Sequence, residues 1–217
     1  MARAAGTSAL TRLVREIEAC RICVEAPAGK ALPHEPRPVL RPSTTARICI
    51  CSQAPGLRVH KSGIPFTDPS GDRLRGWMGV TSEEFYDQSR IAIVPMGFCF
   101  PGYDAAGGDL PPRKECAPAW RGRLFDLMPQ LELILLIGHY AQRWHLGPSS
   151  ANLSATMRDW RALLDSARTP KCLPLPHPSW RNNGWLKANP WFETEVLPRL
   201  RREIRARLEV PAAKARR

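Results

Sequence analysis

The chain lacks any apolar run long enough to cross a membrane: its longest, LELILLIG at 131–138, falls far short of the roughly 20 residues a spanning helix needs. Its N-terminus carries no hydrophobic signal-peptide core, so a cytoplasmic location is expected and no membrane partner. No internal repeat is visible. Acidic residues are scarce as well, with 20 Asp and Glu against 32 Lys and Arg, giving a formal net charge of +12. That excess predicts an anionic partner, nucleic acid before a membrane surface. It is uneven: Arg199 to Arg217 holds eight Lys and Arg against two Glu, half of the total. The hydrophobic content of 43% suffices for one sizeable core. We expect a single domain over 1–210, acting as a monomer, and a disordered basic tail over 211–217.

Apolar spacing organises the rest. Leu10, Leu13, Val14 and Ile17 predict an amphipathic helix over 8–19. Residues 24–46 are Pro- and Ala-rich and read as a connecting loop. Strands are expected at 46–52, 91–95, 131–138 and 171–176. Helices are expected from Ser70 or Asp72, from Cys116 to Met128, at 139–146, at 154–167, and from Asn189 to Leu208 with a bend at Pro198. Met96 to Arg113 carries too much glycine and proline for a helix and reads as a long loop. Alternating strands and helices imply an α/β chain: a three-layer α/β/α fold on a short, mostly parallel four-stranded sheet. Ligands of such sheets bind beyond the carboxyl ends of the strands. The loops after the first strand (Ser52-Gln53-Ala54-Pro55-Gly56) and the fourth (His177-Pro178-Ser179) are therefore candidate site walls.

Seven cysteines in a cytoplasmic chain favour metal or redox chemistry over disulfides. Cys49, Cys51 and Cys172 lie in apolar runs and read as small core residues. Cys20 and Cys23 form C-R-I-C after a helix, while Cys99 and Cys116 lie near Gly or Pro where backbone can wrap a ligand. Together they suit either zinc or an iron–sulfur cluster, or are four unrelated thiols. Near the other end, LPLPHPSWRNNGW at 173–185 is too proline-rich for a regular helix. Pro176 and Pro178 fix His177 on a stiff extended loop, which either ends a strand or holds a side chain for chemistry.

Read in order, SQAPG at 52–56, Gly63-Ile64-Pro65-Phe66, then Cys99, Cys116 and His177-Pro178-Ser179, preceded by the C-x-x-C, resemble the uracil-DNA glycosylase superfamily, most of all its iron–sulfur branches from bacteria and archaea. The resemblance runs from Cys20 to about Leu200. It implies that uracil-containing DNA is the partner and that Cys20, Cys23, Cys99 and Cys116 hold a structural [4Fe-4S] cluster, with zinc the lesser alternative. It also implies excision of a flipped uracil, with Phe66 as stacking platform and His177 as donor to O2 of the departing base. Ala54, Pro55 and Gly56 would line the base site, and Ser179 would cap its loop or touch a phosphate. Trp180 and Arg181 would wedge into the gap or grip the backbone, and Lys187 and the basic tail would meet phosphates.

This chain departs from the family pattern in its first loop, in a segment after Phe66 that is one residue shorter than the F-T-G-D-x-S-G of one branch, and at the end of its second strand. The first loop holds no carboxylate, and Gln53 can orient water or base but cannot be an anionic base. Asp68, in F-T-D-P-S-G, is the candidate that stabilises the cationic sugar or activates water, its structural alternative being a turn or cap residue. The second strand ends in Pro95 and Met96 where strict relatives carry Asn, so selectivity for uracil over other deaminated bases is open. A chain that binds uracil or abasic DNA with little turnover is the alternative expectation.

Overall fold

The computed structural model describes residues 2–148 and 152–209; the tail over 211–217 lies outside them. In chain order the elements are α1 (Ala2–Glu18), α2 (Ile22–Glu25), β1 (Ile48–Cys51), α3 (Leu57–Ser62), α4 (Pro69–Met78), α5 (Ser82–Tyr86), β2 (Ile91–Ile93), α6 (Cys116–Asp126), β3 (Leu133–Ile137), α7 (His139–Leu146), α8 (Leu153–Arg158), α9 (Trp160–Asp165), β4 (Lys171–Leu175), α10 (Asn183–Ala188) and α11 (Leu197–Leu208). The strands form one sheet in the order β2-β1-β3-β4, and every pairing in it is parallel.

Alternate strand residues face opposite ways, so each strand feeds two cores. Ile48, Ile50, Ile93, Leu135 and Leu173 pack with Leu74 of α4, Phe85 of α5, Leu164 of α9 and Leu200 of α11. Cys49, Cys51, Ala92, Ile134 and Cys172 face the other way, against Leu13 and Ile17 of α1, Leu124 of α6 and Ala141 of α7. Helices thus cover both faces, which is the three-layer α/β/α fold expected. Pro174 is tolerated because β4 is an edge strand. The opposite edge, β2, is covered by the loop before β1, where Arg41 and Ile93 exchange backbone hydrogen bonds of 2.7 and 2.9 Å.

The elements that differ from expectation are short. Helix α3 follows the first loop directly, and α5 is set by a capping box in which Thr81 and Glu84 satisfy each other's backbone N–H. The helix expected over 154–167 is broken at Asp159 into α8 and α9. Asp68, rather than Ser70 or Asp72, occupies the N-cap position of α4. Where a bend was expected at Pro198, a π-helical turn over Phe192–Val196 leads into α11, and Pro198 occupies the first turn of that helix, where its missing N–H is not needed. Residues 180–188 are also helical, as a 3₁₀ turn (Trp180–Asn182) leading into α10.

One buried charge ties the layers together. Arg121 of α6 is 2% exposed. Its Nη1 donates to the carbonyls of Val94 and Pro95 at 3.1 and 2.9 Å, and its Nη2 donates to Cys51 Sγ at 3.2 Å. Burial pushes the Cys51 thiol up, but the hydrogen bond with Cys49 and the charges of Arg121 and His145 outweigh it and hold Cys51 well below the ordinary thiol range. Cys51 is therefore not merely a small core residue; its sulfur accepts from a buried guanidinium.

Cys51→Ala should cost about 2 kcal/mol in urea denaturation, because it removes the sulfur that accepts from the buried Arg121 guanidinium while Val94 O, Pro95 O and His145 Nε2 stay in place. Cys172→Ala, a truncation without such a partner, should cost about 1 kcal/mol. Since folding depresses the Cys51 pKa, its contribution is complete above the unfolded thiol value of about 8.5 and declines as pH falls. The gap between wild type and Cys51→Ala should narrow from pH 8.5 to pH 6.

Candidate active site at the carboxyl edge of the sheet

Parallel strands deliver their following loops to one edge. There, Ser52, Ala54, Pro55 and Gly56 after β1, Pro95 after β2, and His177 after β4 line an open cleft of about 510 Å³, together with Pro65, Phe66, Asp68 and Ser70. Met96 N–H donates to Ser52 O at 2.8 Å and Gly97 N–H to Gln53 O at 3.0 Å, which fastens the first loop to the segment beyond β2.

Phe66 is held in an unusual conformation. Its φ of +57° lies in the left-handed region, rare for a bulky residue and costing roughly 1–3 kcal/mol unless the surroundings fix it. They do: Phe66 O accepts from Arg75 Nη1 at 3.2 Å and lies 3.1 Å from the Tyr86 hydroxyl. The chain then passes so close that a Cβ on Gly71 would lie 1.9 Å from Phe66 O. The ring meets Phe85 edge-on at 5.8 Å. Phe66 is thus both a core residue and the apolar wall of the cleft.

Asp68 and His177 converge on the same cleft. Ser70 Oγ lies 2.8 and 2.9 Å from the two Asp68 carboxylate oxygens, so the side chain is positioned by its neighbour and does not cap α4. The loop that carries His177 is anchored from three sides. Gln142 Nε2 donates to Leu175 O at 2.9 Å, Asn182 Nδ2 to His177 O at 2.7 Å, and Arg73 Nη1 to Ser179 O at 3.2 Å. Gly138, with φ +79°, passes beneath: a Cβ there would lie 3.5 Å from His177 Cβ. Burial lowers the His177 pKa and Arg181 adds to this, with Asp68 pulling the other way. The imidazole is therefore neutral near pH 7 and able to donate one N–H.

The remaining predicted residues lie around this centre. The Gln53 side chain is outside the cleft lining and reaches instead to Leu110 O at 3.5 Å. Ser179 contributes its carbonyl to Arg73 and is likewise outside the lining. Trp180 is 72% exposed with the Arg181 guanidinium over its ring at 5.6 Å, so it is not packed against the last helix. Lys187 is exposed on α10. The arginines of α11, which share in the basic charge of the C-terminal segment, are engaged within the fold. Arg199 pairs with Asp165 and Glu203, Arg205 with Glu84, and Arg207 with Glu203, while Arg201 donates to Trp77 O and Gly76 O. These arginines fasten α11 to its neighbours.

Sequence reasoning passed over four residues near the cleft. Ser70, read only as a helix cap, holds Asp68. Arg58 and Lys61 are exposed on α3, which begins at the end of the first loop. Asp109, from the long loop, stands against Gly56: a Cβ on that glycine would meet Asp109 Oδ2 at 3.5 Å. The capping signature was readable for Ser70, whereas no local pattern marks Asp109.

A second, small pocket lies by the start of α6 and is lined by Cys20, Cys23, Cys99 and Cys116 with Ile17, Phe98, Arg113 and Trp120. Among the described residues no three His, Cys, Asp or Glu side chains are grouped to hold a single metal ion. The lining nevertheless suits a sulfur-rich group: Phe98 N–H donates to Cys116 Sγ at 3.4 Å, and Arg113 Nε and Trp120 Nε1 are buried donors without an acceptor.

The family model of the uracil DNA glycosylase superfamily matches residues 40–201. That span holds the first loop, Phe66, Asp68 and the His177 loop.

Gly71→Ala should destabilise the chain by roughly 1–3 kcal/mol, since Phe66 O must move to admit the methyl group. Gly76→Ala, on the same helix with open space around it, should stabilise by about 0.5–1 kcal/mol. Thermal denaturation of the two variants checks the pair of opposite signs.

Proposed function

The chain belongs to the uracil DNA glycosylase superfamily, and from that membership we propose that it is a DNA repair glycosylase that flips uracil, and other deaminated bases, out of DNA and hydrolyses the N-glycosidic bond to leave an abasic site. The observation that carries this reading is the convergence of Phe66, Asp68 and His177 on one cleft at the carboxyl edge of the sheet. The flipped base stacks on Phe66. As the bond between C1′ and N1 breaks, its electron pair moves onto the base, and the neutral His177 donates an N–H to the O2 atom where charge accumulates. Asp68 faces the sugar and stabilises its developing positive charge. No Asn stands at the end of β2; Pro95 occupies the cleft wall there, and backbone groups read the base edge, which supports a range wider than uracil.

DNA enters over the exposed Trp180, which fills the gap left by the flipped nucleotide, while Arg181, Lys187, Arg58 and Lys61 meet phosphates. Cys20, Cys23, Cys99 and Cys116 would hold a [4Fe-4S] cluster, the two acceptorless donors Arg113 Nε and Trp120 Nε1 supporting that choice. Its part would be structural, with Cys20 and Cys23 of the N-terminal segment joined to Cys99 and Cys116 at the two ends of the segment before α6.

Incubation with single- and double-stranded oligonucleotides carrying one uracil, followed by hot alkali, tests the reading. Strands should be cut at the uracil, and Asp68→Asn should lower single-turnover excision by about 100-fold or more. Intact strands, with gel shifts that still prefer uracil or abasic DNA, would replace the enzyme by a binding protein. The purified chain should be brown with about four irons per molecule, and Cys99→Ser should lose colour and iron together; a colourless zinc-containing preparation would overturn the cluster assignment.

A further inference from the structure

The first loop of this chain supplies no carboxylate, yet the fold brings one to it from elsewhere. The segment after β2 is not featureless. Tyr103 and Asp109 form an antiparallel bridge, Asp104 N–H donates to Gly108 O at 2.8 Å and Leu110 N–H to Gly102 O at 2.9 Å. Asp104 Oδ1 closes the turn by accepting from Ala106 N and Gly108 N at 2.9 and 2.8 Å. The result is a small hairpin over 102–110. It is fixed to the first loop at its base, where Gln53 Nε2 reaches Leu110 O and Asp109 Oδ2 lies against Gly56.

The two aspartates of this hairpin differ. Asp104 is occupied by its own turn. No hydrogen bond or ion pair to a described residue engages the Asp109 side chain, which is exposed and lies beside Gly56 at the edge of the cleft lining. Gly56, Phe66 and Asp68 line one cleft, and Asp109 stands beside Gly56, close enough for its charge to interact with that of Asp68. We propose that Asp109 is a second catalytic carboxylate, the general base that takes a proton from the attacking water while Asp68 stabilises the cationic sugar. The inference rests on the glycosylase reading and deepens it.

The step balances without a further reactant. The C1′–N1 bond breaks with its electrons going to the base; water oxygen bonds to C1′ and its proton passes to Asp109 and then to solvent. The base anion takes up a proton from solvent. The charged groups around Asp109 suit a base: burial raises its pKa and Asp68 and Asp104 add to this, while Arg181 opposes them. Two carboxylates in different surroundings at one site characteristically divide the roles in this way.

Asp109→Asn, Asp109→Glu and wild type should be compared in single-turnover excision of a uracil oligonucleotide across pH 5 to 9, with gel shifts on abasic DNA and thermal denaturation in parallel. Asp109→Asn should lower the rate by about 100-fold and remove the fall in rate that wild type shows as pH drops through the Asp109 titration. Abasic-DNA binding and stability should be unchanged, and Asp109→Glu should recover part of the rate. An active wild type alongside an Asp109→Asn variant that keeps its rate and acid limb would overturn this inference and leave the glycosylase reading standing. A loss of rate matched by an equal loss of DNA binding or stability would also overturn it, by making Asp109 a support for the hairpin. A wild type that cuts no strand would overturn the glycosylase reading and this inference with it.

Discussion

Parallel pairing of all four strands is the constraint on which the site depends. A parallel sheet must return its chain to the starting edge after every strand, so each crossover lies on a face and every following loop begins at the same edge. In this chain that geometry sends Ser52, Pro95 and His177 to one place from widely separated positions in sequence. The two cores serve the same end. By burying the strands on both faces, they hold the three loop origins at fixed spacing, and Arg121 reinforces this by binding the carbonyls of Val94 and Pro95 where β2 gives way to its loop.

The cleft itself is built from backbone restraint more than from side-chain packing. Phe66 sits at positive φ because Arg75, Tyr86 and the bare Cα of Gly71 leave its carbonyl no other position. His177 is held between two prolines, with Asn182 and Gln142 fixing the carbonyls on either side. Both groups can thus meet a ligand without first being ordered, which lowers the entropic cost of binding and of charge stabilisation. The positive charge of the chain serves two purposes. Much of the excess in α11 is structural, bound to Glu84, Glu132, Asp165 and Glu203, whereas Arg58, Lys61, Arg181 and Lys187 remain exposed on elements that begin near the cleft.

How much of this was legible depended on the range of the interaction. The strands could be read because each is a continuous apolar run buried on both faces, and the sheet followed from their alternation with helices. Asp68, Phe66 and His177 were readable because proline and glycine beside them limit the local backbone. The short helices α3 and α10 were not, since a stretch of six residues holds too little periodicity to register. Cys51 looked like any small core residue because its partner, Arg121, is distant in sequence. Asp109 was missed for the same reason: its carboxylate becomes notable only once the hairpin is laid against Gly56, and residue order gives no hint of that contact.

The hairpin lies in sequence between two of the cysteines that line the second pocket. Cys99 and Cys116 bracket the segment whose middle carries Asp109, while Gly97 at its start is tied to Gln53. Binding one cluster through both cysteines would close this segment at its ends; for a loop of this length, cross-linking removes about 3 kcal/mol of chain entropy from the unfolded state. The same closure would narrow the range of positions open to the hairpin in the folded state, and hence to its carboxylate. A group with no chemical part in the reaction can therefore matter to it through loop geometry alone. With Asp109 as the proposed general base, its place would depend on the register of the hairpin, and a cluster on the four thiols would help to set that register.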